Sequence, residues 1–288
     1  TGAEVTSEGF QLYGLPPYRY YSAGIACYMS GPNSNQWMQD NHDVWYDGMD
    51  LLGITNGGIV GFKYFGFGGL AAADKGLKAF DGTVKGDGTR LNLRLVPGGH
   101  GAFKVHVWLD GPYANDTWHG HRIATLEVPA NAERTARNYQ VDVPDVEGLS
   151  GKHAIFIVAE GADVEQPQPA DRRNGQSAQP QRPEGLFDLM GIGFSKGDGT
   201  CEPPVCPTVT ITVDGQQLRL PATPIRTTNA NGYTEATRYQ VYAPLKQGSQ
   251  LKATASSQDV TVTVSPIADG RASVRCNYQG REKIFLIN

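Results

Sequence analysis

The chain has 288 residues, including 36 glycines and 18 prolines, and its formal net charge is −4. This length exceeds what a single hydrophobic core usually needs, so two domains are expected. The acidic balance disfavours nucleic acid as a partner, because phosphate binding requires a clustered basic surface. No apolar stretch approaches the roughly 20 residues of a membrane span. The sequence opens at Thr1 without a signal peptide, so we interpret it as a mature chain or an excised fragment.

The first two thirds of the sequence have the patterns of an all-β domain. Apolar and polar residues alternate with a period of two at 91–95 and at 103–109, which is typical of half-buried strands. Clusters of Gly, Pro, Asn and Asp separate the candidate strands at intervals typical of a β-sandwich. Further strands are predicted at 122–128, 139–143, 153–159 and 186–194.

The remaining sequence predicts a loop, a linker and a second β domain. Residues 162–184 are rich in Gln, Pro and Arg, and so few apolar side chains favour a flexible loop. Residues 197–207 form a turn-rich linker, after which alternation resumes, and about 80 residues of short strands predict a small immunoglobulin-like sandwich at 208–288. Its strands are predicted at 208–213, 239–243, 250–255, 260–264, 272–278 and 283–287.

Short motifs in the first domain resemble those of a known family. The segment LPPYR at 15–19 resembles the junction that follows the catalytic propeller in many glycoside hydrolase family 43 enzymes. From there to residue 194, the order and spacing of the motifs resemble a family 6 carbohydrate-binding module. These motifs are GM at 48–49, ITNGG at 54–58, FGFG at 65–68, VWLDGP at 107–112, IATLEVP at 123–129, VEGLSGKHAIFIVAEG at 146–161 and LFD at 186–188.

The resemblance implies a fold, a function and a location. Residues 20–196 are expected to form a lectin-like β-sandwich, a jelly roll, preceded at 1–19 by a linker from a missing upstream domain. The implied function is non-catalytic binding of a plant-type polysaccharide, a hemicellulose or a pectin side chain, within a secreted bacterial glycoside hydrolase. The implied partner is a catalytic propeller domain upstream of Thr1, and the implied location is secreted, periplasmic or on the cell surface.

The sequence departs from this family at the loop-end sugar site. The family holds a sugar ring there between a tyrosine and a tryptophan, and an asparagine of the last strand bonds the sugar hydroxyls. The matching positions are Gly53, Ala136 and Asp188. Because neither Gly nor Ala offers a flat aromatic surface, this site is expected to be degenerate, and Asp188 is its one candidate sugar-binding residue.

An alternative sugar site is predicted on the open face of one sheet. In the strand 103–109, alternation directs Lys104, His106 and Trp108 away from the core. The following loop adds Tyr113 and Trp118, so these five residues are our candidate sugar-binding set. Aromatic walls with a few polar groups are typical of ligand sites. The competing interpretation is that a neighbouring loop or domain covers Trp108.

No cofactor or metal is predicted. The positions of the family's structural calcium ligands read Ser22 or Gly24, and Met190, so calcium is not carried over. His119 and His121 form an H-x-H pair, but a zinc site needs a fourth ligand that the sequence does not show.

The segment 40–50 is dense in carboxylates and aromatic residues. A calcium loop there would use Asp43, Asp47 and Asp50, but their spacing is not that of an EF-hand, and Asx turns explain them better. Trp37, Trp45 and Tyr46 of the same loop are candidates for contact with a sugar or with the missing catalytic domain.

The four cysteines leave the cellular compartment open. Cys201 and Cys206 flank a short loop and are a possible disulfide pair in an oxidising compartment. Cys27 and Cys276 lie in apolar or strand patterns and are interpreted as small buried hydrophobic residues.

Catalysis by this chain alone is not expected. The catalytic acids of family 43 would lie in the propeller, upstream of Thr1, and no G-x-S-x-G, P-loop or HExxH motif is present. Two alternatives to sugar binding remain. One is a structural accessory that buttresses the catalytic propeller and has lost sugar binding, and the other is an independent hydrolase with a carboxylate pair.

Overall fold

A computed structural model describes residues 3–6, 9–12, 14–31, 34–36, 45, 48–67, 88–143, 152–166, 182–221, 224–230 and 233–288. The chain forms two compact units: one of Thr1–Trp37 and Gly48–Pro203, the other of Met38–Asp47 and Pro204–Asn288. Within the described ranges, regular structure consists of strands and one 3₁₀ turn at Ala23–Ile25, so the all-β prediction is confirmed. No helix of these ranges is long and apolar enough to cross a membrane.

Two antiparallel sheets form the body of the first unit. The strands of this unit in chain order are β1 (Ala3–Thr6), β2 (Gly9–Leu12), β3 (Tyr21–Ser22), β4 (Tyr28–Ser30), β5 (Ser34–Gln36), β6 (Asp50–Ile54), β7 (Ile59–Gly66), β8 (Thr89–Pro97), β9 (Phe103–Leu109), β10 (His121–Val128), β11 (Arg137–Asp142), β12 (Lys152–Gly161) and β13 (Phe187–Lys196). The front sheet has the order β10-β9-β12-β7-β4, and the back sheet has the order β11-β8-β13-β6-β5, with β3 also paired to β13. Strands β1 and β2 pair as a separate hairpin.

The two sheets have the connectivity of a jelly roll. From β6 to β13, successive strands alternate between the back and front sheets except at the β9–β10 hairpin. The core lies between the sheets, where Phe62, Leu93, Val107, Ile157 and Leu189 are almost completely buried. The lectin-like sandwich predicted for this part of the chain is therefore observed.

The outer face of the back sheet is covered by the segment that follows β13. The side chain of Asn92, on β8, is buried there, donates to Ser195 Oγ at 2.8 Å, and accepts from Gln140 Nε2 at 2.8 Å. The same Asn92 oxygen accepts the backbone N–H of Cys201 at 3.1 Å. These bonds pair polar groups that would destabilise the fold if they were buried without hydrogen-bond partners. Chain segment 199–201 therefore occupies this face.

The disulfide between Cys201 and Cys206 is not formed. Cys201 is a free thiol and is 7% exposed, and its Sγ packs so closely on Gly193 that a Cβ there would lie 2.4 Å away. Burial raises the pKa of the Cys201 thiol to about 11. Cys276 is buried as predicted, whereas Cys27 is exposed, because it lies just before the edge strand β4.

The second unit is also built from two sheets. Its strands are β14 (Val209–Val213), β15 (Gln216–Gln217), β16 (Arg226–Ala230), β17 (Tyr233–Val241), β18 (Leu251–Ala255), β19 (Thr261–Val264), β20 (Ala272–Tyr278) and β21 (Arg281–Ile287). One sheet has the order β15-β14-β18, and the other has the order β16-β17-β21-β20-β19. Strands β17 and β21 pair in parallel. Sandwich packing is observed, and the immunoglobulin-like assignment stays a prediction.

Trp45 belongs to the core of the second unit. Its side chain is 4% exposed, and its indole N–H donates to the carbonyl of Arg281 at 3.1 Å. The ammonium of Lys283 lies 4.1 Å from the centre of the Trp45 ring, a cation–π contact. The prediction that Trp45 contacts a sugar or a catalytic domain is therefore wrong. Trp37 and Tyr46, which share that prediction, lie outside the described residues, as do the calcium candidates Asp43 and Asp47.

Candidate functional site

The outer face of the front sheet carries the predicted polar side chains of β9. Val105, Val107 and Leu109 of this strand are fully buried between the sheets. The alternation of the strand therefore turns Lys104, His106 and Trp108 outward, as the sequence predicted.

Cross-strand pairing joins these side chains to partners on β10 and β12. Lys104 stands between Glu127 and Glu160, and its Nζ lies 3.2 Å from Glu127 Oε1. His106 bonds Thr125 Oγ1 through Nδ1 at 3.0 Å and Glu160 Oε2 through Nε2 at 2.6 Å. The bond from His106 lowers the pKa of the Glu160 carboxyl. We call these five side chains the polar row, and their mutual bonds fix its geometry.

A cleft opens at the end of the polar row. It has a volume of about 440 Å³, and we call it the rim cleft, bordered by Phe103, Lys104, Glu127, Pro129 and Glu160. The Phe103 ring is held in place by stacking on Phe187, with 5.1 Å between ring centres. Because that ring belongs to the core, the exposed apolar residues of the cleft are Ala102 and Pro129, beside one ammonium and two carboxylates. Its size and composition are typical of small-molecule sites, which measure roughly 300 to 1,000 Å³.

The predicted aromatic surface is largely used for packing. Trp118 lies edge-on to Tyr28 and Phe156, with ring centres 5.5 and 5.8 Å apart, and Trp108 lies edge-on to Tyr113 at 6.4 Å. The Trp108 indole N–H is buried without a hydrogen-bond partner. We call these five residues the aromatic cluster. Trp108 is half-buried within it, and the guanidinium of Arg122 lies 5.9 Å from the centre of its ring. Its role as a sugar platform stays a prediction.

The loop that carries Tyr113 and Trp118 is held by its own hydrogen bonds. The Asn115 side-chain oxygen accepts the backbone N–H groups two and three residues further on, at 3.1 and 3.0 Å. At its start, Asp110 bonds the buried His153 ring at 2.8 Å. His119 lies in this loop and His121 begins β10, and the described ranges contain no group of three or more side chains arranged to hold a metal ion. These hydrogen bonds fix the loop that contributes two side chains to the aromatic cluster.

The loop-end site is filled by the chain itself. Gly53 has a φ of +67°, and a Cβ there would lie 2.7 Å from Pro183 Cβ. The Gly53 N–H donates to Asp188 Oδ1 at 2.8 Å, and Arg182 forms an ion pair with the other Asp188 oxygen. Burial raises the pKa of the Asp188 carboxyl, and these two contacts oppose that shift only in part. There is no room for an aromatic side chain at position 53, which explains why glycine stands here in place of the family's tyrosine.

The structure therefore brings some predicted site residues together and not others. Lys104 borders the rim cleft and His106 lies beside it, whereas Trp108, Tyr113 and Trp118 belong to the aromatic cluster, and Asp188 lies at the loop end. The sequence analysis missed the acidic partners of Lys104. They occupy outward positions on β10 and β12, but only the strand register shows that they flank the lysine.

Comparison with known proteins gives structural likenesses only. No protein-family profile matches the sequence. No curated protein matches it either. Among solved structures, a glycoside hydrolase family 43 arabinoxylan arabinofuranohydrolase from Bacillus subtilis, in complex with cellotetraose, matches 67% of this chain at 16% identity and a TM-score of 0.41. The match covers 33% of that enzyme, so the chain spans about a third of its length.

Isolated carbohydrate-binding modules also match. The module CsCBM6-3 from Clostridium stercorarium, in complex with cellobiose, matches 63% of this chain and 96% of its own, at 16% identity and a TM-score of 0.39. The module CBM6cm-2 from Cellvibrio mixtus lichenase 5A, in complex with cellotriose, matches 62% of this chain and 95% of its own, at 12% identity and a TM-score of 0.32. At such identities and TM-scores, these likenesses neither place the chain in a family nor assign it a ligand.

Proposed function

We propose that the first unit is a non-catalytic carbohydrate-binding module whose ligand site is the rim cleft. The observation that carries this proposal is the position of Lys104 between Glu127 and Glu160 at the edge of a cavity of about 440 Å³. Sugar hydroxyls are both donors and acceptors, so they match carboxylates and an ammonium placed side by side. The exposed apolar residues Ala102 and Pro129, which line the cleft, suit the C–H face of a sugar ring.

The charges of the cleft favour a neutral saccharide. Two carboxylates and one ammonium surround the cavity, and the Glu160 carboxyl also bonds His106. An additional anion would be repelled by the carboxylates, whereas uncharged hydroxyls would not. Neutral xylo-, arabino- and galacto-oligosaccharides are therefore the ligands to test.

Isothermal titration of the whole chain with these oligosaccharides tests the proposal. We expect Lys104→Ala or Glu160→Gln to weaken binding about tenfold or more, because each removes a charge-assisted hydrogen bond of about 1.5 to 3 kcal/mol. Lys252→Ala is the matched control, since it removes an exposed lysine from the second unit and is expected to leave binding unchanged. Absence of heat with every saccharide, or equal losses in Lys104→Ala and Lys252→Ala, would overturn the proposal.

We further propose that this module belongs to a secreted bacterial glycoside hydrolase with a catalytic propeller upstream of Thr1. The support is the resemblance of segment 15–19 to the junction that follows such propellers. The module would then hold the enzyme on a plant-type polysaccharide. Mass spectrometry of the native protein is expected to show a larger secreted polypeptide with a hydrolase domain ahead of this chain, and a polypeptide without one would contradict this assignment.

A second candidate function is a structural accessory of that enzyme without sugar binding. The filling of the loop-end site by Pro183 above Gly53, and the half-burial of Trp108, favour it. It predicts no saccharide binding by this chain, together with a less stable or less active enzyme when the chain is removed. Saccharide binding that depends on Lys104 would reject it.

A further inference from the structure

The second unit contains a segment that lies far from the rest of it in the sequence. Most of the unit follows Pro204, yet it also contains Met38–Asp47. We call Met38–Asp47 the excursion, because the chain passes there from the first unit into the second and then returns. Trp45 is the residue of the excursion that the structure describes, and it lies in the core of the second unit. That core is therefore built from two separate stretches of the chain.

The Trp45 side chain lies against the hairpin of β20 and β21. The Tyr278 ring, at the end of β20, has its centre 5.6 Å from that of Trp45. The Arg281 carbonyl, at the start of β21, accepts the indole N–H at 3.1 Å. The Lys283 ammonium, two residues further along β21, lies 4.1 Å from the centre of the Trp45 ring. We call Tyr278, Arg281 and Lys283 the indole slot.

The contacts of the indole slot favour a tryptophan side chain over any other. Tryptophan combines an N–H donor with the aromatic face that attracts a cation most strongly. Lys283 is 8% exposed, and a buried ammonium destabilises a fold unless it has favourable contacts. Trp45 is itself 4% exposed, so the second unit encloses it almost completely. Removal of Trp45 would therefore take one partner from the ammonium and one from the Arg281 carbonyl.

We propose that Trp45 in the indole slot forms a strap, a noncovalent connection that holds Pro204–Asn288 to the rest of the chain in addition to the linker. The linker is open to proteases, since Val205 is 93% exposed and exposed loops are preferred sites of cleavage. After such a cut, Trp45 belongs to the N-terminal piece and the indole slot to the C-terminal piece. The strap would keep the two pieces together, so the partner that the slot recognises is a tryptophan of the same chain.

Cleavage of the whole chain at the linker tests the strap. A site for a sequence-specific protease would be inserted immediately before Pro204, and the cleaved chain would be followed by size-exclusion chromatography. A reducing buffer prevents a disulfide between Cys201 and Cys206 from joining the pieces. The two pieces of the native sequence are expected to elute as one complex after cleavage.

Substitutions at position 45 give the expected magnitudes. Trp45→Ala removes a large buried side chain, so it should weaken the association of the pieces about 100-fold or more, and they should elute separately. Trp45→Phe keeps an aromatic ring but loses the indole N–H, so the cleaved complex should dissociate on dilution at about tenfold higher concentration. Tyr242→Ala is the matched control, because it removes an aromatic residue of the second unit that is 82% exposed, and it should leave the complex unchanged.

Separation of the native pieces after cleavage would overturn the inference. Equal stability of the cleaved complex in the native sequence and in both variants at position 45 would overturn it as well. Calorimetry of the uncleaved Trp45→Ala chain shows whether its second unit still folds. If that transition is lost, the dilution of the Trp45→Phe complex decides, and a midpoint equal to the native one contradicts the strap. None of these results depends on saccharide binding in the rim cleft.

Discussion

Substitution of two glycines in the first unit tests whether the chain fills its own loop-end site. Gly53 and Gly57 have similar left-handed backbones, with φ of +67° and +71°. A Cβ at Gly53 would lie 2.7 Å from Pro183 Cβ and 3.0 Å from its carbonyl carbon, whereas a Cβ at Gly57 would meet nothing within 4 Å. Gly57→Ala is therefore the matched control for Gly53→Ala.

The expected loss of stability has two terms, the cost of a left-handed backbone and the cost of overpacking against Pro183. A left-handed backbone costs a non-glycine residue roughly 1 to 2 kcal/mol, which applies to both variants. Overpacking against Pro183 adds about 1 to 3 kcal/mol to Gly53→Ala alone. Both variants also gain stability because alanine restricts the unfolded chain more than glycine does, and this gain cancels when the two variants are compared. Gly53→Ala should therefore be about 1 to 3 kcal/mol less stable than Gly57→Ala.

Thermal unfolding of both variants measures this difference. For a unit of this size, 1 kcal/mol corresponds to about 2 to 4 °C in Tm, so the two midpoints should differ by about 2 to 12 °C. Calorimetry is the suitable assay, because the transition of the first unit must be separated from that of the second. Equal midpoints for the two variants would show that Pro183 does not occupy the space above Gly53, and the account of the loop-end site would be refuted.

Three further predictions concern burial and titration. Trp45→Ala should destabilise the second unit by about 3 to 5 kcal/mol, because Trp45 lies in its core, and an unchanged calorimetric transition of that unit would contradict this. At pH 8, iodoacetamide should label the exposed Cys27 well before Cys201 and Cys276, whose thiol pKa values are raised by burial to about 11, and mass spectrometry of the labelled sites would show any reversal. The bond from His106 lowers the folded-state pKa of Glu160, so it stabilises the fold fully above the unfolded pKa of about 4.3 and is lost as the pH falls through the folded value. Glu160→Gln should therefore flatten the dependence of stability on pH below about 4.3 in denaturant titrations, and an unchanged slope would argue against the bond.

The all-β fold was predictable because the alternation of apolar and polar residues indicates where most of its strands lie. The pattern at 103–109 gave the bounds of β9 and the side of the sheet that each residue faces. Strands β6 and β7 were not predicted, because Asp50–Ile54 is buried throughout and Ile59–Gly66 is buried over its first half, so their sequences do not alternate clearly. The placement of Trp45 in the second unit was also beyond the sequence, since a contact with Arg281 depends on tertiary packing.

The candidate site was predictable only in part for a related reason. Alternation within β9 identifies Lys104 as outward, but the neighbours of Lys104 are set by the register of three strands. A bulge between Arg122 and Ala124 shifts that register, and no local sequence signal marks it. The partial burial of Trp108 likewise depends on its contacts with Tyr113 and with the Arg122 guanidinium, which periodicity does not describe.

Chemical-shift mapping of a saccharide titration tests the central claim most directly. The neutral oligosaccharide that gives the most heat in calorimetry would be added to the ¹⁵N-labelled chain. We expect saturable shifts centred on the backbone amides of Lys104, Glu127 and Glu160, with little change in the second unit. Shifts centred elsewhere, or no saturable shift with any neutral oligosaccharide, would contradict a ligand site in the rim cleft.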